Sequence, residues 1–309
     1  MNYFVSLHAN MENKGFSQLL SESLKSNDTE EWLDVWFTRP IGLAVALVCR
    51  RLGITPNMVT VTGIVLSVVA GWMFTHSDLT YNIVGIALLM ASNFCDSADG
   101  QLARLTNNKT SIGRMLDGLS GDVCFFCLYL AVVIRIWDTP IPFTDIKWQW
   151  WGLLFCAVCG LRIHTPQSTL ADYYRQIHLW FIKGERGSEL DSYAKELRIY
   201  DDLKQKGWSW ERVFHYFYKN YCKKQERLTP HFQTYFKSAD LQRERFIEGS
   251  RPLMKFTNIL TFNTRAILYY ITALVNLPWL FPLGDIVLFQ PLYLYMRHRH
   301  EHLCKTLTD

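Results

Sequence analysis

The sequence is poor in charged residues and has no strongly basic or acidic balance. Only 19% of its 309 residues are Asp, Glu, Lys or Arg, and the net charge is +4. This modest charge does not indicate a nucleic-acid-binding protein, which needs clustered basic side chains for phosphate contacts. Residues 1–38 also lack an apolar core followed by a small-residue cleavage site, so a cleavable signal peptide is not expected.

The eight cysteines indicate neither disulfides nor a zinc site. Two pairs, Cys124 with Cys127 and Cys156 with Cys159, have the spacing of zinc ligands, but each pair lies inside an apolar segment. Cysteine in such a segment is an ordinary small buried residue. Structural zinc sites usually close short polar loops, so packing is the favoured interpretation of both pairs.

Apolar and aromatic residues are abundant, at 49% and 15% of the chain with 11 Trp. Trp and Tyr collect at membrane interfaces. Several apolar windows are shorter than the roughly 20 residues of a span, and reach that length only by including polar ends. The sequence predicts an all-α, polytopic membrane protein with six transmembrane helices. The windows are residues 58–75, 83–94, 123–137, 150–161, 266–277 and 279–296.

Basic residues concentrate in alternate connections between these windows. The connections near residues 76–81, 138–147 and 278–284 contain Lys147 as their single Lys or Arg, whereas the other connections contain several. The positive-inside rule therefore predicts an integral, multi-pass protein with both termini and the acid-rich region on the cytoplasmic side.

Four regions are expected along the chain. Residues 1–54 form a cytoplasmic N-terminal segment with an interfacial amphipathic helix, and residues 55–181 hold transmembrane helices 1–4. Residues 182–255 are a cytoplasmic helical insertion, and residues 256–309 hold helices 5–6 and a cytoplasmic tail. Aromatic residues in the insertion suggest packing on the membrane domain or on a partner chain. A basic aromatic surface also fits anionic lipid head groups, although a solvated helix face is the commoner explanation.

Carboxylates occur where a lipid-embedded helix would ordinarily carry none. Asp96 and Asp99 follow the second apolar window, and Asp117 and Asp122 precede the third. Charged side chains at membrane depth are costly and usually functional. Four acids without an equal set of nearby cations would repel one another unless a divalent ion neutralised them. The cluster therefore predicts a metal site.

Small residues accompany these acids at helical spacing. Gly100 and Ala103 share one helix face with Asp96 and Asp99, so a bulky ligand can approach the backbone there. Arg104 offers a planar guanidinium suited to phosphate oxygens. The arrangement predicts a pocket for a metal-bound phosphate ester.

The pattern Asp96-x2-Asp99-Gly100-x2-Ala103-Arg104-x8-Gly113-x3-Asp117 closely resembles the signature of the CDP-alcohol phosphotransferases, integral membrane enzymes of phospholipid synthesis. The resemblance implies transfer of a phosphatidyl or phosphoalcohol group from a CDP-alcohol to an acceptor hydroxyl, with release of CMP. It also implies one or two Mg²⁺ or Mn²⁺ ions held by the four carboxylates. Expected substrate-binding residues are Asn57, Thr60, Gly100, Ala103, Arg104 and Thr110.

One position departs from the family pattern. The family places its fourth Asp, the proposed general base, four residues after the third, where this chain has Gly121. We predict a one-residue π-bulge between Gly118 and Gly121, which would let Asp122 serve as fourth metal ligand and as base. The alternative is that Asp122 only caps or solvates the helix and that the chain is a catalytically silent relative.

The acceptor is expected to approach from the cytoplasmic side. Arg162, His164 and Arg175 could line its pocket, with the cations holding a phosphate, although snorkelling at the interface is the competing explanation. They favour an inositol phosphate acceptor with CDP-diacylglycerol as donor.

Other functions and partners stay open. Alternatives are a CDP-choline or CDP-ethanolamine transferase acting on a lipid alcohol, or an ion transporter, which would leave Gly100, Ala103 and Arg104 unexplained. Expected partners are the donor, the polar acceptor, the bilayer and a possible homodimeric copy.

Overall fold

The computed structural model describes residues 15–23, 26, 28–107, 110–238 and 241–308. Within these residues every regular element is helical, so the all-α prediction is confirmed. The start of the expected N-terminal segment, residues 1–14, lies outside the described part.

The helices follow one another with short connections. Two serines begin helices of the insertion, because the hydroxyls of Ser192 and Ser209 accept hydrogen bonds from the amides three residues on. The helices are α1 Phe16–Ser23, α2 Arg39–Arg51, α3 Pro56–Met73, α4 Leu79–Leu105, α5 Ser111–Ile136, α6 Gln149–Val158, α7 Thr165–Lys183, α8 Tyr193–Gln205, α9 Trp210–Leu228, α10 Pro230–Phe236, α11 Arg243–Ile259, α12 Phe262–Leu274, α13 Leu280–Gly284 and α14 Gln290–Thr308.

Three helices in the described part of the chain are long and apolar enough to cross a membrane. They are Pro56–Met73, Leu79–Leu105 and Gly113–Ile136, with mean hydropathies of 1.4, 1.2 and 1.9. They correspond to the first three predicted spans. The later windows form α6, α12 and the stretch from α13 into α14, which are shorter or more polar. The count of six spans stays a prediction.

Helix widening occurs elsewhere than expected. π-helical turns lie at Asp34–Thr38, Cys159–His164 and Asp285–Phe289, whereas α5 is a continuous α-helix from Ser111 to Ile136. The predicted bulge between Gly118 and Gly121 is therefore wrong. A side chain at either glycine would meet no described atom within 4 Å, so no packing contact forces α5 to widen there.

The chain divides into two compact units. The first contains the described residues up to Leu66 and Met90–Ser120. In it α2 approaches α4 closely, because a Cβ on Gly42 would lie 2.6 Å from the Ser97 hydroxyl oxygen. On α3, the Gly63 carbonyl accepts a hydrogen bond of 2.8 Å from Ser92 of α4. Ala46, Cys49, Val59, Ala98 and Leu102 form the core between these helices.

The second unit contains Ser67–Leu89 and Gly121–Asp309. One of its cores joins α5 to α12 and α13, with Leu128, Tyr269 and Phe281 at its centre. Another core joins the insertion to α7 and α14. It includes Tyr174, Phe181, Phe232, Tyr235, Phe246 and Met296. The insertion therefore shares a core with the helices that precede and follow it.

A buried ion pair crosses the second unit. Arg265 of α12 pairs with Asp285 in the third π-helical turn, and both side chains are almost completely buried. Arg265 also donates to Gln167 at 2.7 Å, and the Tyr129 hydroxyl donates to Asp285. Removing one charge would leave the other buried without its partner, which is more costly than losing the whole pair.

We predict that Asp285→Asn lowers the free energy of unfolding by ~3–5 kcal/mol, because the Arg265 charge stays buried. Thermal unfolding in detergent, followed by circular dichroism, measures this change. The matched control is Asp138→Asn, which removes a carboxylate from an exposed ion pair with Lys147 and is expected to cost about 0.5 kcal/mol or less. Equal midpoints for the two variants would contradict the structural role of the buried pair.

Candidate active site

Asp99 is the buried centre of the acid cluster. It lies on α4 with 4% of its surface exposed. The Thr60 hydroxyl of α3 donates to its Oδ2 at 2.5 Å, and the same hydroxyl lies 3.1 Å from the Pro56 carbonyl oxygen. Thr60 therefore fixes the orientation of the carboxylate.

Two further carboxylates accompany Asp99 in the first unit. Asp96 is exposed one turn earlier on α4, and Asp117 is exposed on α5. Asp117 repels the Asp99 charge, while Arg104 attracts it. Asp117 of α5 thus lies close enough to Asp99 of α4 for their charges to interact, and Asp96 lies one turn before Asp99. Oxygen ligands of this kind suit Mg²⁺.

The face of α4 beside the acids carries small residues, as the sequence predicts. A Cβ on Gly100 would lie 3.3 Å from Nη1 of Arg104, so the guanidinium folds back across the glycine. Ala103 is partly buried next to them. Because the glycine has no side chain, the cation stands directly over the backbone beside Asp99. This position suits a phosphate bound between the guanidinium and the acids.

The start of α5 completes this side of the cluster. The Thr110 hydroxyl accepts a hydrogen bond of 2.9 Å from the Gly113 amide and caps the helix. A Cβ on Gly113 would lie 3.0 Å from Oδ1 of Asn57 and 3.1 Å from Oγ1 of Thr110. Asn57 and Thr110, two predicted donor-binding residues, therefore meet at Gly113.

Asp122 does not share the face of Asp117. Five residues of regular α-helix place it about 140° around the axis of α5. Asp122 is exposed and belongs to the second unit. Its charge attracts Lys224 of α9, and the charge of Arg162 repels the same lysine. Burial lowers the pKa of Lys224, the proximity of Asp122 raises it and that of Arg162 lowers it further.

Lys224 is a candidate site residue that sequence reasoning missed. It lies in the charged and aromatic insertion, where lysines are common, and no spacing relates it to a residue about a hundred positions earlier. The packing of α9 brings it there. One turn before it, the Tyr221 hydroxyl donates to Asp172 of α7 at 3.3 Å.

The three predicted acceptor residues are separated. Arg162 is exposed near Lys224. His164 is buried, with Nδ1 3.1 Å from Nη1 of Arg265, and so belongs to the buried ionic network. Arg175 donates to Asn258 of α11 at 3.4 Å. Among these three, Arg162 is the side chain whose position best suits binding of a soluble phosphate.

Comparison with known proteins agrees with the acid motif. Residues 53–178 match the family model of CDP-alcohol phosphatidyltransferase, a range that contains Asn57, Thr60 and all four acids. An archaetidylinositol phosphate synthase of Pyrococcus horikoshii is 34% identical over 91 residues, which cover 28% of this chain and 46% of the relative. The chain thus spans about half the length of this curated relative. Over residues 53–178, the chain is thus similar to the CDP-alcohol phosphatidyltransferase family, whose members are transferases for substituted phosphate groups.

Proposed function

We propose that the protein transfers the phosphatidyl group of CDP-diacylglycerol to a hydroxyl of a phosphorylated polar alcohol and releases CMP. The observation that carries this proposal is the interaction of Asp99 with the charges of Asp117 and Arg104, whose guanidinium is folded across Gly100. An ion transporter would use the acids, but this function would not explain why the Arg104 guanidinium lies over the backbone of Gly100.

The donor set fits a divalent ion. Three carboxylates from two helices offer hard oxygen ligands, and the Thr60 hydroxyl orients one of them. Bound Mg²⁺ or Mn²⁺ would neutralise the donor diphosphate and stabilise the charge on the departing CMP. Asp122 as a further ligand rests on the family resemblance, and the straight helix α5 gives it no support.

The donor diphosphate is proposed to bind between α4 and the start of α5. Arg104 would hold one phosphate through its planar fork, and Gly100 leaves room for it. Asn57 and Thr110 offer polar oxygen and nitrogen atoms near the first turn of α5, where the helix dipole also favours anions.

The acceptor is proposed to carry a phosphate of its own. Lys224 lies near both Asp122 and a second cation, Arg162, an arrangement that suits a phosphorylated alcohol whose hydroxyl lies near the carboxylate. The acceptor oxygen would bond to the phosphorus that carries diacylglycerol, the bond from that phosphorus to CMP would break, and the hydroxyl proton would pass to Asp122. The relative's name, archaetidylinositol phosphate synthase, favours inositol phosphate as acceptor.

A second candidate is a catalytically silent protein that binds CDP-alcohols. Gly121 at the family's fourth acidic position, together with the unbulged helix α5, favours it. Release of CMP by the purified wild-type protein separates the two candidates, because the silent protein would bind the donor without turnover.

We predict that Asp99→Asn lowers metal-dependent CMP release on the order of 10³-fold, because one ligand and its charge are lost. The assay uses purified protein with CDP-diacylglycerol, inositol phosphate and Mg²⁺, with a chelator as blank. Asp138→Asn, a substitution in an exposed loop, should keep wild-type activity. Near-normal turnover by Asp99→Asn would rule out the proposed metal site.

Asp122→Asn tests the base. Loss of about 10²-fold or more in kcat, with donor binding retained, is expected for removal of a general base. Donor affinity is measured by titration with CDP-diacylglycerol in detergent. If kcat stays unchanged, another group takes up the proton of the acceptor hydroxyl and Asp122 has a different role.

Lys224→Met should raise the KM for inositol phosphate about tenfold, the cost of one charge-assisted phosphate contact, and leave the KM for the donor unchanged. Lys223→Met is the matched control, since it removes the same charge from the adjacent position, where the ammonium lies over the Tyr193 ring. An equal effect of both variants would show that net charge matters and that Lys224 makes no specific contact.

A further inference from the structure

The hairpin of α8 and α9 exposes large aromatic side chains. Trp208 and Trp210 are 70% and 73% exposed, and Phe217 is 66% exposed. The two indole rings lie 5.2 Å apart at the tip of the hairpin. Contiguous apolar surface of this kind usually marks a binding surface rather than a solvated face.

Two of the exposed aromatic side chains of α9 lie on one line with a lysine. Trp210, Phe217 and Lys224 are spaced by seven residues, and seven residues return an α-helix to within about 20° of the same direction. The three side chains therefore form a stripe, which we call the aromatic stripe, along one face of α9.

The opposite side of α9 is fixed by packing. His215 and Cys222 are buried there, and Nδ1 of His215 lies 2.7 Å from a carboxylate oxygen of Glu196 on α8. They lie about 120–140° from Trp210 around the helix axis. The aromatic stripe therefore cannot turn inward to cover itself.

The aromatic stripe ends at Lys224, which lies near a residue of an apolar helix. Lys224 attracts Asp122, which lies within the apolar helix Gly113–Ile136. The face of α9 that carries Phe217 and Trp210 is thus close to the face from which Lys224 reaches Asp122. Trp210 lies about 21 Å from Lys224 along the axis of α9.

We propose that the two aromatic residues of the stripe, Trp210 and Phe217, insert together with Trp208 into the head-group region of the same bilayer that holds the spans. Indole rings favour this region, because the ring is apolar while its N–H can donate to head groups and water. A bilayer is expected to cover these residues, because the aromatic stripe extends the face of α9 from which Lys224 reaches Asp122 of an apolar helix. The proposal is independent of the transfer reaction.

The test is lipid quenching of tryptophan fluorescence in nanodiscs. Subtracting the emission of Trp208→Phe/Trp210→Phe from that of the wild type isolates the two tip residues among 11 Trp. We expect acyl chains brominated near the head group to quench this difference by roughly half, while aqueous iodide has little effect. Both residues are exposed, so the substitutions leave the core intact.

Trp180→Phe is the control. Trp180 packs against Phe181 and Phe236, with ring centroids 5.0 and 4.7 Å away, and its difference emission should respond to neither quencher. Quenching of the tip by iodide would show a solvated hairpin. Quenching by neither agent would show that a second copy or another protein covers it. Either result overturns the proposal.

Discussion

Repulsion among carboxylates held in apolar helices is the constraint that organises this protein. Asp99 is buried on α4, and Asp117 of α5 adds a second negative charge that raises the cost of burying it. Thr60 and Arg104 offset part of this cost, one by a hydrogen bond and the other by charge. A divalent ion would relieve the remaining repulsion between the acids, and the same ion would bind the anionic diphosphate of the donor.

Close helix packing makes that arrangement possible. Gly42 and Gly63 have no side chains, so α2 and α3 approach α4 closely enough for Thr60 to reach Asp99. The missing side chains of Gly100 and Gly113 likewise leave room for Arg104 and Asn57 to lie over the backbone. Small residues in the first unit therefore serve both packing and ligand access.

The insertion forms part of a buried core and carries the residues of two proposals. Helix α9 packs on α7 and α8, and its stripe carries Lys224 toward Asp122 and leaves Trp210 and Phe217 exposed. One helix face thus combines a proposed acceptor contact with a proposed membrane contact. By these two proposals, a lipid head group and a soluble phosphate would both contact helix α9.

The sequence by itself determined the helical class, the first three apolar spans and the composition of the acid motif, because these depend on local spacing and hydropathy. It also predicted Thr60 and Arg104 as site residues, and both interact with Asp99 in the structure. The straight course of α5 at Gly121, the burial of His164 beside Arg265 and the position of Lys224 were decided by tertiary structure alone. Local periodicity fixes which residues share a helix face, but packing between distant segments decides which faces meet.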